Sequence, residues 1–345
     1  MDVRLTGEQE LLRTTVRTVA DQWAATGPEE LLRNAAGGWK RVVELGIPAL
    51  RSPALAGVDA SGVEVALVLE EVSRAVAPVP VLGQAVLAAE ILEAAGATAT
   101  LQAIADGDIR VAPALRRDLG GFAGPDDDGI VFDSADATHV LLVESVPNLG
   151  GARVLLRSAT GATRAGLDLT RDWGEVPPVD PGEETLGLVD AERWIKVEAL
   201  AFTALGADLL GVMQGALDDA VAYVAERRQF GVPVGSFQAV QHLAADALVQ
   251  VEATRSCVWH AAWSVDHQAP TAARLAGRAA KAFASKAGRQ VVETTVQLFG
   301  GIAITWEQLS HVRLRRALLD RQLFGDENLH YEQIAATRLA DAGLS

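Results

Sequence analysis

Two short segments carry residue types that could hold an anion: Arg227-Arg228-Gln229-Phe230-Gly231 and Gln297-Leu298-Phe299-Gly300-Gly301. A guanidinium such as Arg227 presents a planar fork of donors that pairs well with a compact dianion such as a pyrophosphate. Gly300 and Gly301 let backbone N–H groups approach phosphate closely, because no Cβ intervenes. Phe230 offers an apolar wall for a flat ring. Each feature also has a plainer reading. Arg227 could simply end a helix, where a cation suits the dipole. The glycine pair could be no more than a helix C-cap.

Other reactive side chains are scattered. His242, His260, His311 and His330 show no ligand spacing, so no metal site is expected. Cys257 is alone, which excludes an intramolecular disulfide and a thiolate cluster and fits a reducing cytoplasm. It lies mid-helix among apolar neighbours, as a core residue would. Asp326, Glu327 and His330 could form an acid/base group, or a polar loop with Asp326 capping the next helix. Trp194 and Trp306 read as packing residues at domain seams. A net charge of −15 leaves no basic surplus for a nucleic acid backbone, although a small anion needs only a few local cations. The stretch from Met1 to Glu8 has no apolar leader core, so a cytoplasmic protein is expected.

The elements that must position these residues fall into three zones of the 345-residue chain. Residues 1–107 are rich in Ala, Leu, Val and Glu at helical spacing. Leu12, Val16, Val19 and Trp23 follow a cap candidate at Thr6, and Val65, Leu69, Val72 and Val76 mark another helix. Further helices are expected at 39–46 and 82–95. Residues 108–190 break into short β-rich runs at 109–112, 129–132, 140–143 and 152–156, bounded by turn residues. No long helices alternate with them, so an antiparallel sheet or small barrel is expected rather than a doubly wound fold. Residues 191–345 return to helix, at roughly 199–227, 236–264, 271–299 and 310–323, and read as a four-helix bundle. The apolar stretch from Ala199 to Ala216 is broken by Asp208 and reads as a buried bundle helix, not a membrane span.

The run from Tyr223 to His242 resembles the segment joining the first two bundle helices of FAD-dependent acyl-CoA dehydrogenases. Gln297 to Gly301, followed by Thr305, Glu307 and Arg313-Leu314-Arg315-Arg316, resembles that family's Gln-Leu-His-Gly-Gly segment and its following helix. Leu5 to Arg17 and Glu70-Glu71-Val72-Ser73-Arg74 are also similar to the family. The resemblance implies an α+β fold: N-terminal helical domain, shortened middle β domain, C-terminal bundle. It implies FAD as cofactor, with its ADP half gripped across a subunit interface. The residues that carry over to this grip are Arg227, Gln229, Phe230, Phe237, Gln238, Gln297, Leu298, Gly300 and Gly301.

Two family features are missing. Where the family has a Thr-Glu-Pro segment against the flavin ring, this chain reads Ala112 to Gly121 without the motif. The catalytic carboxylate is replaced as well. Phe324 stands at the usual position and Ala201 at the alternative one, with Glu198 one helical turn away as a fallback base. No catalytic residue is therefore expected in this chain. The resemblance then implies the non-catalytic subunit of an α2β2 dehydrogenase of bulky, steroid-like CoA thioesters. The partner would be a catalytic paralogue that binds most of the acyl-CoA. A self-sufficient homomeric enzyme using Glu198, a scaffold without flavin, and a flavin enzyme of other chemistry remain as alternatives.

Overall fold

Thr6 starts the first helix. Its hydroxyl accepts from the Gln9 amide at 3.2 Å, and the Gln9 side chain accepts from the Thr6 amide at 3.0 Å. This reciprocal pair satisfies two donors that a helix start leaves free. The computed structural model describes residues 4–34, 38–56, 60–161, 163–179 and 181–343. Met1 to Val3, part of the stretch read for a leader, lie outside them. The N-terminal helices are α1 (Gly7–Trp23), α2 (Pro28–Asn34), α3 (Trp39–Glu44), α4 (Pro53–Ala56), α5 (Gly62–Arg74), α6 (Ala88–Ala94) and α7 (Thr98–Ala105). The helix expected over 82–95 is in two parts. A π-helical turn, Val81–Leu87, precedes α6. There the Gly83 amide donates to Asp133 at 2.8 Å, and Gln84 donates to the Asp133 and Ala135 carbonyls. Contacts to a distant turn, just after the strand ending at Phe132, thus accompany the widened helix, and no local pattern encodes them.

Seven strands follow: β1 (Val111–Arg116), β2 (Gly129–Phe132), β3 (His139–Val146), β4 (Gly151–Ser158), β5 (Thr163–Ala165), β6 (Asp172–Glu175) and β7 (Glu184–Val189). They form one sheet in the order β5-β6-β2-β1-β3-β4-β7. The expected antiparallel pattern holds with one correction: β1 and β3 run parallel. β2 turns back along one edge of β1, and the chain then reverses again to reach the other edge. Two reversals align β3 with β1, and alternation of residue types is blind to direction.

The C-terminal part contains α8 (Ala191–Glu226), a small hairpin of β8 (Arg228–Gln229) and β9 (Val232–Pro233), then α9 (Gln238–His267), α10 (Pro270–Phe299), α11 (Ser310–Gln322) and α12 (Glu327–Asp341). α8 begins at Ala191 because Asp190 caps it, accepting from the Arg193 amide. Its apolar window is long enough to span a bilayer but 94% buried within the protein, as a bundle core helix should be. α5 crosses α8 with backbones in contact. A Cβ on Gly211 would stand 2.2 Å from the Glu70 carbonyl, and one on Gly215 2.2 Å from that of Arg74.

A buried polar network joins the three parts. Arg316 of α11 donates to Asp208 of α8 at 2.6 Å, to Ser73 of α5 at 2.9 Å and to Thr170 at 3.0 Å. Arg171 donates to Asp133 at 3.0 Å and to Asp208 at 2.9 Å. Burial alone would raise the Asp208 pKa, but Arg316 and Arg171 hold it well below the usual carboxylate range. Asp320 is pushed well up, by burial and by the neighbouring Asp208 charge.

Candidate functional site

The two candidate segments are brought together by an apolar cluster. Ala220, Val224, Leu298, Phe299 and Ala303 form its buried centre, with Tyr223, Val234, Val240 and Val296 packed around it. The Tyr223 and Phe299 rings meet at 5.0 Å. The end of α8, the hairpin, the start of α9 and the end of α10 are thereby fixed at one edge of the bundle.

Each candidate residue has a definite place on that edge. Arg227 caps α8, its own amide donating to the Tyr223 carbonyl at 2.9 Å. Its carbonyl accepts from Val234 at 2.7 Å, which closes the hairpin loop. The guanidinium is exposed and pairs with no side chain among the described residues. Phe230 sits at the hairpin turn with φ of 52°, 92% exposed, and meets Phe237 edge-on at 6.3 Å. Gln229 and Gln238 are exposed beside it, and Gln297 is exposed on α10. Leu298 is buried in the cluster and supports the edge from beneath.

The glycines divide their work. Gly300 has φ of 66° and ψ of −144°, a combination essentially confined to glycine. Its N–H turns back to the carbonyls of Gln297 and Val296, so it is a C-cap. Gly301 follows in a 3₁₀ turn, Gly300–Ile304, whose first amides have no partner within the turn. No heavy atom lies within 4 Å of a Cβ built on either glycine. The backbone at both glycines is thus open to close approach by a ligand.

The place of the family's base is different. Phe324 is only 7% exposed, and its ring meets Phe122 at 4.8 Å and Phe202 at 6.5 Å. Its amide donates to the Leu119 carbonyl at 2.6 Å. The turn that stands in for the missing motif therefore folds directly onto it. Trp194 extends the aromatic group, 5.8 Å from Phe122, at the seam between sheet and bundle. Ala201 is buried. Glu198 lies on the wall of a cavity of about 300 Å³ with Phe122, Trp194, Phe202, Arg278 and Phe324, but its carboxylate is paired with Arg274 at 2.9 Å.

The C-terminal acids resolve as a loop with structural roles. Asp326 caps α12, accepting from the Asn328 and Leu329 amides, and Glu327 pairs with Arg321 at 2.7 Å. His330 is buried against Phe202, so no acid/base group forms. Lys281 is fully buried and donates to Ser285 at 2.8 Å and to the Arg321 and Gly325 carbonyls at 3.0 Å. Burial draws its pKa down to about 7. No local pattern singles out Lys281 or Arg278, which sit in a long helix with ordinary spacing. Cys257 is half-buried, and burial raises its thiol pKa. Trp306 is partly exposed and stacks on His311. No metal-binding group of His, Cys, Asp and Glu occurs among the described residues.

Residues 6–105 match the N-terminal domain of acyl-CoA dehydrogenases, and residues 199–339 match their C-terminal domain. This chain belongs to the acyl-CoA dehydrogenase family. It is 31% identical over 330 residues to acyl-CoA dehydrogenase IpdE2 of Mycolicibacterium smegmatis, across 92% of this chain and 94% of that protein. It is also 31% identical over 333 residues to acyl-CoA dehydrogenase FadE34 of Mycobacterium tuberculosis, across 90% of this chain but only 44% of FadE34. Among solved structures, the steroid ACAD Tcur3481-Tcur3483 has a TM-score of 0.82 at 26% identity, with 98% of this chain and 99% of that one covered. The family's cofactor is FAD. Neither domain match includes residues 106–198, which contain the sheet and the region of the absent motif.

Proposed function

We propose that this chain is the non-catalytic subunit of a heteromeric, FAD-dependent acyl-CoA dehydrogenase that desaturates a steroid-derived CoA thioester. One observation carries the reading. The edge suited to a neighbour's dinucleotide is open, while the position of the chain's own base holds Phe324 packed against Phe122. Bound FAD would supply the hydride acceptor. Arg227 would pair with its pyrophosphate, the Cβ-free backbone at Gly301 would let a phosphate approach, and Phe230 with Phe237 would wall the adenosine. Gln229, Gln238 and Gln297 form the polar rim, and Leu298 keeps the edge in place from below. No group of this chain takes the proton α to the thioester. That step belongs to a carboxylate of the catalytic partner.

Further support comes from the surface near the clamp. Phe230, Ile302, Ile304 and Trp306 are exposed apolar side chains there. Such a patch needs a protein cover. The similar solved structure, Tcur3481-Tcur3483, is a steroid ACAD, which favours both a second dehydrogenase chain as partner and a steroid substrate. Within this reading the chain is built as three units, 1–107, 108–190 and 191–345, and works in the cytoplasm in an α2β2 complex.

Co-expression with a catalytic paralogue tests it. Arg227→Ala should strip FAD from the complex while both chains stay associated. Retained flavin in that variant would refute the assigned role. Glu198→Gln should leave activity of the complex unchanged; a loss would return Glu198 to the list of bases.

A further inference from the structure

The cavity between sheet and bundle contains a guanidinium that makes no ion pair among the described residues, the charge of Glu198 acting on it only from a distance. Arg278 of α10 lies with its guanidinium 4.7 Å from the centre of the Phe202 ring. Its polar neighbour is His330, whose Nδ1 is 3.4 Å from an Arg278 nitrogen. Burial, with the charges of Lys281 and Arg278, pulls the His330 pKa to about 3, so the imidazole is neutral. Its Nε2 is buried without a hydrogen-bond partner among the described residues. Glu198 on the same wall is taken by Arg274 at 2.9 Å, and Arg116 at the rim is paired with Asp118 at 3.2 Å. Among the described residues no carboxylate lies within ion-pair distance of Arg278. Burial also lowers its pKa.

The remaining walls mix rings with polar groups. Phe122, Trp194, Phe202 and Phe324 line a partly open cavity of about 300 Å³ together with Arg116, Ser145, Glu198 and Gln333. Four rings beside a guanidinium that has no ion pair make a chemically selective surface. Its rings take a flat or alicyclic body, and the fork of Arg278 takes an anionic oxygen pair. We infer that this cavity binds a cyclic apolar carboxylate as the free acid, with Arg278 as its anchor. A thioester lacks the anionic oxygen pair and is a poorer match. This site is independent of the flavin edge and of any partner.

Calorimetric titration of the purified full chain tests the inference without flavin or turnover. Naphthalene-2-carboxylate should bind saturably, and its primary amide, equal in size but uncharged, about tenfold more weakly. Arg278→Gln should bring the acid down to the amide's level and leave the amide unchanged, whereas Arg278→Lys should keep the preference for the acid. The inference is overturned if the acid does not saturate or if acid and amide bind alike. It is equally overturned if a folded Arg278→Gln protein keeps the acid preference. Should that variant fail to fold, the wild-type acid-to-amide ratio still decides.

Discussion

Phe324 stands at the position where the family resemblance expects a base, and its neighbours have closed around it. Its ring is in edge contact with Phe122 and Phe202, and its backbone is tied to Leu119. Phe324→Ala should therefore cost about 3–5 kcal/mol in urea unfolding, the usual range for emptying such a site. Gly300 invites a different test, since its φ of 66° and ψ of −144° exclude a side chain. Gly300→Ala should cost about 1–3 kcal/mol from backbone strain and lower the flavin content of the complex. Lys281 makes stability depend on pH. Its folded pKa of about 7 lies below the ordinary 10.5, so between these values the unfolded chain binds more protons than the folded one. Its contribution to stability thus rises with pH from about 7 to about 10.5 and is least favourable below 7. Lys281→Met should remove this component, read as a smaller stability gain between pH 7 and pH 9.5 than in the wild type.

At the level of elements, the sequence was most legible where local chemistry decides. Thr6 caps α1 as expected, Asp326 caps α12, and the glycine pair ends α10. α3, α5 and the bundle helices follow from period and length. Long-range effects were not legible. The parallel β1–β3 pair depends on two chain reversals, and the π-helical turn contacts Asp133, fifty residues away from Gly83, in the turn after β2. β5, β6 and β7 carry too little alternation to announce themselves. The candidate edge residues could be named because they sit in contiguous runs. Arg278 and Lys281 could not, because only folding gives them their neighbours. α5, α8 and α11 are locked together by the Arg316–Asp208–Ser73 contacts, which are wholly buried. Asp208→Ala leaves two buried guanidiniums short of a partner and should cost about 3–5 kcal/mol in denaturant unfolding, far more than an exposed pair would.

For the whole molecule, the open edge and the closed interior point the same way. The edge of Arg227, Phe230 and Gly301 faces outward, beside apolar side chains that a lone chain would leave in water. The interior position of the base is packed with aromatic rings. A division of labour between two chains accounts for both. The most direct measurement is the FAD content and acyl-CoA oxidation of this chain purified alone, compared with its complex with a catalytic paralogue. The expected result is a colourless, inactive chain alone and a yellow, active complex that loses its flavin with Arg227→Ala. Stoichiometric FAD and steroid-CoA oxidation by the chain alone would contradict it.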